Sequence, residues 1–244
     1  MKKNNQIWAF IPARSGSKGV TNKNIKQLNG HPLLAWSIKA CQKSRRIDRI
    51  FVSTDSSKYA KIAKQYGAEV PYLRSKSISG DISSDLEWFR ELIKKIKMNE
   101  IIPKFFAHVR PTTPLRDPKI IDKAIDLLIK NKSATSLRSV HEMSETAYKC
   151  FEINKNEFLQ PLGGINVSKK KSNVSRQLLP KTYAANGYID IIKYDTIFKK
   201  NDIHGDKILS MITPYISEID TVDDFEYIKY QSKKLTKIKK NLFN

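Results

Sequence analysis

Three fixed cations, Arg14, Lys18 and Lys23, stand on a turn loosened by Gly16 and Gly19, directly after the apolar run Ile7-Trp8-Ala9-Phe10-Ile11. Glycines let backbone N–H groups approach phosphate oxygens, and the three side chains supply the positive charge a triphosphate requires. The apolar run is short and free of charge, as expected of a strand covered on both faces of a parallel sheet, and ligands gather at the carboxyl ends of such strands. The spacing matches neither the P-loop nor the dinucleotide-binding fingerprint. A solvated basic loop would carry the same residues, so it is the position at a strand end that points to a nucleotide.

Holding that loop in place requires a sheet, and the first half of the chain alternates strand and helix. Behind Pro32, Leu34, Ile38 and Cys41 recur at helical spacing, and Arg49 to Thr54 reads as a buried strand ending at Asp55. Tyr59, Ile62, Ala63 and Tyr66 mark a second helix closed by Gly67, and Glu69 to Leu73 predicts a short third strand whose Pro71 places it at an edge. Ser84-x-x-Glu87 is a capping box for a helix with the stripe Leu86, Phe89, Ile93 and Ile96; Phe105 to Val109 is the next strand. Asp117 and Pro118 open a helix through Ile121, Ala124, Ile125 and Leu128. Repeated βα units predict an α/β fold with a doubly wound, mostly parallel sheet.

From about Ser133 the rhythm changes to strand-like pieces, Ala134 to Val140 and Ala147 to Ile153, followed by a loop with Pro161, Gly163 and Gly164. A β arm that cannot bury both faces alone finds its cover in a second subunit, so about 141–184 is the candidate dimerisation insert of a single domain spanning 1–244. Strands Gly187 to Ile192 and Ile208 to Ile212 follow, and Thr221-x-x-Asp224 caps the last helix with Val222, Phe225 and Ile228 facing inward.

The 244 residues, 40% of them hydrophobic, allow one sizeable core. No apolar run reaches the roughly 20 residues that span a bilayer, and no secretory segment opens the chain, so a cytoplasmic protein with no membrane partner is expected. Cys41 and Cys150 form neither a disulfide framework nor a zinc site, and both read as core thiols. The net charge of +21 raises the alternative of a basic nucleic-acid-binding protein. The surplus is mostly lysine, scattered over the helices with local density at Lys169 to Lys171 and Lys233 to Lys240, and no nucleic-acid-binding motif accompanies it, so no specific nucleic-acid partner is expected.

The cationic loop, taken with Arg110-Pro111-Thr112-Thr113-Pro114-Leu115-Arg116, Ser175 to Pro180, Asn186-Gly187 and Glu218-Ile219-Asp220-Thr221, resembles the acylneuraminate cytidylyltransferases over nearly the whole chain and in the same order. The resemblance implies a Rossmann-like nucleotidyltransferase fold, a homodimer, and activation of a nonulosonic acid by CTP with Mg²⁺, giving a CMP-sugar and pyrophosphate. It makes Arg14 and Lys18 the triphosphate cations, sets Lys23 beside the phosphates and Asn24 near base and ribose, and adds Ala13, Arg74, Asp81 and Ser83 to the nucleotide site. Capping alone also accounts for Ser83 and Ser84.

Asp220 matches the family's metal-binding aspartate and Glu218 its acidic companion. In an extended segment that spacing turns both carboxylates to one side, where hard oxygen ligands suit Mg²⁺. A helix-dipole contact is the alternative role for Asp220. On the sugar side, Arg110 stands where a glutamine is familiar, Ala184 replaces an arginine and Asp190 a tyrosine; Lys149, Arg176, Gln177 and Asn186 complete the expected sugar contacts. The altered charge pattern points to a modified sugar of legionaminic or pseudaminic type. No histidine is assigned a catalytic role. The expected chemistry is in-line attack of the anomeric hydroxyl on the CTP α-phosphorus, with a Kdo-type cytidylyltransferase as the alternative inside the enzyme class.

Overall fold

The charge-free run after Gln6 forms β1 (Ile7–Pro12), and its alternate side chains enter two separate cores. Ile7, Ala9 and Ile11 join one buried cluster, Trp8 and Phe10 the other. That is the period-two behaviour of a strand with both faces covered. The computed structural model describes residues 6–98, 100–162, 174–234 and 236–243.

A small hairpin, β2 (Gln27–Leu28) and β3 (His31–Pro32), leads into α1 (Leu33–Lys43). Then come β4 (Arg49–Ser53), α2 (Ser57–Gln65), α3 (Asp85–Lys97), β5 (Phe105–His108), α4 (Pro118–Lys130) and β6 (Ser136–Glu142). The second half holds β7 (Phe151–Ile153), β8 (Leu159–Pro161), β9 (Tyr183–Lys193), α5 (Tyr194–Lys199), β10 (Ile208–Ile212), α6 (Val222–Lys234) and α7 (Thr236–Phe243). Six strands make one sheet in the order β10-β6-β9-β5-β1-β4. β1 is parallel to β4 and to β5, and β6 to β10, while β9 runs antiparallel between β5 and β6. The sheet is therefore mostly parallel, as predicted. Residues of α1, α2, α4 and α6 pack in one cluster and residues of α3 and α5 in the other, so the winding is double. From β1 the chain goes first to β4 and then back past β1 to β5, which makes the carboxyl edge of β1 a topological switch point.

The predicted caps form. Ser84 and Glu87 make the reciprocal capping box of α3, Asp117 accepts from Lys119 N at the start of α4, and Asp224 accepts from Thr221 N at 2.8 Å. Several local expectations are corrected. Glu69 to Leu73 is not a strand: only Glu69 bridges Phe51, because Pro71 cannot donate to a ladder. Ala147–Lys149 is a 3₁₀ turn capped by Thr146, with the strand confined to Phe151–Ile153. Val222 opens its helix 52% exposed while Phe225 and Ile228 are buried. The helix it opens is followed by α7, whose Leu242 returns to the core and whose Phe243 stacks on His31.

The expected insert is described in part. β7 and β8 pair as a separate antiparallel hairpin, and β6 extends to Glu142, opposite Tyr183. Gly163, Gly164 and the lysine run 169–171 lie outside the described residues. Among those described, no helix is long and apolar enough to cross a membrane.

Candidate active site

Loops leaving the carboxyl ends of β1 and β5 meet at one edge of the sheet, where a cleft of about 370 Å³ is lined by residues from both, from the stretch between α2 and α3, from the start of α3 and from the segment before α6. The cationic loop is fixed from below. Asp55, just past β4, accepts from Ser15 N at 2.7 Å and from Ser15 Oγ at 2.6 Å, and although burial works against its charge, those bonds hold its carboxyl below the ordinary range. Asn24 Nδ2 donates to Arg14 O at 3.0 Å, closing the loop on itself. Gly16 has φ +74, a left-handed conformation that favours glycine. Gly19 is required by contact: a Cβ there would lie 2.1 Å from the Asp220 carbonyl oxygen. The loop and the acidic segment thus touch through backbone, which sets cations facing carboxylates across the cleft.

Lys23 lies between them. Its Nζ donates to Ile219 O at 2.7 Å and to Asp220 Oδ1 at 3.1 Å. Glu218 Oε1 accepts from Thr112 Oγ1 at 2.7 Å. Both carboxylates line the cleft, and the Asp220 side chain is 72% exposed. The cap of α6 is supplied by Thr221 and Asp224, so helix capping does not occupy the Asp220 carboxylate. Asp220 and Glu218 fit a magnesium ion in ligand type, being hard oxygen donors beside a cleft that also carries the cationic loop. No cluster of three or more metal-ligating side chains occurs among the described residues, so such an ion would take its other ligands from phosphate and water, as magnesium commonly does.

Arg14 and Lys18 share one partner. Asp81 Oδ1 is 2.9 Å from Arg14 Nη2 and Oδ2 is 2.5 Å from Lys18 Nζ, and the two hydrogen bonds hold the Asp81 carboxyl below the ordinary range. Asp81 therefore meets Arg14 and Lys18, a contact unlike the base-pocket role expected of it. These pairs are exposed and contribute little to folding. Arg14→Ala and Lys18→Ala are accordingly expected to lower turnover roughly tenfold or more while shifting the melting temperature by no more than about a degree, because such cations act on charge in the transition state. Steady-state rates beside thermal unfolding curves check this; wild-type rates in both variants would make the loop a solvated surface.

At the other end of the cleft, Arg74 is buried, donates from Nε to Ser53 Oγ and from Nη2 to Ser53 O, both at 2.9 Å, and lies over the Trp88 ring at 5.1 Å. Burial pulls its pKa down to about 10, which leaves it charged at neutral pH. Ser83 lines the same end, its Oγ accepting from Gly80 N at 3.0 Å. Trp88 continues that wall to Asp85, which accepts from Trp88 Nε1 on one side and from Arg110 on the other. Neither Trp88 nor Asp85 stood out in the sequence, although Asp85 directly follows the Ser84 cap and Trp88 lies three residues on, on the same helix face.

The expected sugar contacts divide. Arg110 lines the cleft and is backed by Asp190, buried behind it. Asn186 is buried, with Nδ2 donating to Thr213 Oγ1 at 2.7 Å and Oδ1 accepting from Tyr188 N, so its amide is engaged away from the cleft. Ala13 is buried and continues the sheet through Ala13 N to Ser53 O. Lys149, Arg176 and Gln177 belong to the turns around the β7–β8 arm and do not line the cleft. Cys41 is a core thiol as expected, pushed up to about 12 by burial, whereas Cys150 is half-buried.

The sequence profile of the cytidylyltransferase family matches residues 8–236. The CMP-N,N'-diacetyllegionaminic acid synthase of Legionella pneumophila is 37% identical over 136 residues, which are 55% of this chain and 59% of that protein. The pseudaminic acid cytidylyltransferase of Campylobacter jejuni is 28% identical over 227 residues, 90% of this chain and 93% of that one. Among solved structures, CMP:2-keto-3-deoxy-manno-octonic acid synthetase complexed with CTP superposes with a TM-score of 0.71 over 94% of this chain and 99% of that one at 12% identity, a likeness of fold.

Proposed function

Since the chain belongs to the cytidylyltransferase family, we propose that it couples CTP to a nonulosonic acid and releases pyrophosphate. The observation that carries this is the cleft itself: phosphate cations on a glycine-shaped loop face two carboxylates on a segment in direct backbone contact with that loop. The relatives matched in sequence bear the names of legionaminic and pseudaminic acid enzymes, whereas the octonic acid synthetase shares the fold at low identity, which favours a nonulosonic acid over a Kdo-type substrate.

In the reaction proposed, the anomeric hydroxyl oxygen of the sugar bonds to the α-phosphorus as the bond to the bridging oxygen breaks. The electron pair leaves with pyrophosphate and the hydroxyl proton is lost to the surroundings. Little covalent chemistry falls to the protein, which positions the reactants and neutralises charge. Arg14 and Lys18 offset charge growing on the leaving group, and Lys23 orients Asp220. Asp220, with Glu218 beside it, would hold magnesium, which supplies Lewis acidity at the phosphate when bound. Asn24, Arg74 and Ser83 would take ribose and base.

The reading extends to a cytoplasmic homodimer supplying activated sugar for cell-surface polysaccharide. Exposed Ile153, Phe158 and Leu159 on the β7–β8 arm support a second copy as their cover. Pyrophosphate release measured with CTP, UTP and ATP against a panel of sugar acids tests enzyme class and substrate together. CTP is expected to support turnover at least about tenfold faster than UTP or ATP, since a site whose polar edge fits one base leaves groups unpaired with another. Equal rates with UTP would remove the cytosine pocket from this reading.

A further inference from the structure

Arg110 is the cation on the sugar side of the cleft, and the obvious part for it is to bind the substrate carboxylate. Its surroundings argue otherwise. Nη1 donates to Asp190 Oδ2 and Nη2 to Asp85 Oδ2, each at 2.9 Å, while Arg138 Nε stands 3.8 Å from Asp190 Oδ1. Two guanidinium groups thus meet two carboxylates. Arg74 also acts on Asp85, and His204 on Asp190. His108 is fully buried with its Nδ1 3.8 Å from Asp190 and 4.0 Å from Asp85, and burial, followed by the charge of Arg110, pushes its pKa down to about 3, so it adds no charge at neutral pH. Burial also works against the Asp85 carboxylate, yet its interaction with His108, the charge of Arg110 and hydrogen bonds from Trp88 and Arg110 together outweigh it and hold that group well below the ordinary range. Arg110 is therefore paired with a carboxylate through each of its Nη atoms before any substrate arrives.

What it offers instead is hydrogen-bonding capacity. A guanidinium has five N–H donors, and the carboxylates take only two of those on Arg110. Asp85 accepts from Trp88 Nε1 at 2.9 Å through Oδ1 and from Arg110 through Oδ2, which leaves a lone pair on each oxygen. Both residues line the cleft, whereas Asp190 lies behind them. The location is held by backbone as well: Gly187, at φ +60, has its missing Cβ position 3.5 Å from Arg110 Cδ and 3.4 Å from Glu218 Oε1, so the pair sits against the segment carrying the acidic residues.

Building on the proposed activity, we infer that Asp85 and Arg110 act as one specificity-determining pair. It reads an uncharged substituent of the acceptor sugar that donates to Asp85 and, through a neighbouring atom, accepts from Arg110. An acylamino group flanked by a hydroxyl has this chemistry. The substrate carboxylate is bound elsewhere.

The sign of one kinetic effect separates the possibilities. If Arg110 binds the carboxylate, Asp85→Asn frees it and the sugar KM falls or stays level. If the pair reads a neutral group, the same change costs an acceptor and raises the sugar KM about tenfold, the loss expected of one buried hydrogen bond. Pyrophosphate release at saturating CTP measures KM, and calorimetry of CTP alone, expected to change less than twofold, removes nucleotide effects. Should Asp85→Asn not fold, wild-type enzyme decides: kcat/KM is expected to be at least about tenfold higher for N,N'-diacetyllegionaminate than for N-acetylneuraminate, which has one acylamino group fewer. A lowered or unchanged KM, a CTP affinity weakened by the same factor, or equal wild-type use of both sugars overturns the inference. Wild-type inactivity on every such sugar with CTP overturns the proposed activity and this inference with it.

Discussion

Asp220→Asn is expected to lower turnover by about a hundredfold or more, the scale associated with losing a group that stabilises transition-state charge. The Asp220 carboxylate stands in the open cleft and is engaged by Lys23 Nζ at 3.1 Å. The helix behind it is capped by Asp224, so the substitution leaves α6 intact and the melting temperature nearly unchanged. Glu218→Gln is expected to be milder, about 10–100-fold, because one Glu218 oxygen is already held by Thr112, which leaves it less free than Asp220 to bind an ion. Rates measured against magnesium concentration distinguish the two: Asp220→Asn should weaken the magnesium response, and full activity with an unaltered response would exclude Asp220 as a metal ligand.

Arg116→Met should have the largest effect on stability. Arg116 is fully buried, yet no carboxylate lies among its hydrogen-bond partners. Its Nε donates to Tyr188 O at 2.5 Å, Nη2 to Arg110 O at 2.5 Å and to Gly187 O at 2.9 Å, and Nη1 to Thr113 O and to Ser37 Oγ. One side chain thus ties α1, the loop after β5 and the early part of β9 together beneath the cleft. Burial lowers its pKa to about 10, still well above neutrality, so it remains charged and all donors stay in use. Methionine would keep the volume and leave the carbonyls without donors, each costing about 1–3 kcal/mol, so a total loss of about 3 kcal/mol or more is expected. At about 2–4 °C per kcal/mol for a chain of this size, the melting temperature should fall by at least about 6 °C. A variant melting within about 2 °C of wild type would show that water replaces the guanidinium.

The two substitutions also mark the division between what could be read in advance and what could not. Arg116 was visible only as the last residue of a Pro-Thr-Thr-Pro-Leu-Arg run, with nothing to say that it was buried. Its donors are satisfied by carbonyls from residues far apart in the chain, and such a cage has no local periodicity. Asp220 was visible as a candidate, but whether its carboxylate served only the dipole of the following helix or faced the cleft depended on where the loop carrying Lys23 came to lie.

The sequence by itself determined the βα rhythm, the two-faced burial of β1, the caps at Ser84, Asp117 and Thr221, and the place of the cationic loop at a strand end. These depend on residue period and on hydrogen bonds within a few positions, both of which are local. Tertiary structure alone decided that β9 runs antiparallel between β5 and β6, that Gly19 abuts the Asp220 carbonyl, that Asp81 meets Arg14 and Lys18, and that Arg110 is neutralised by Asp85 and Asp190. Each joins residues distant in the chain, and their charges and contacts acquire meaning only once the sheet has set their separation.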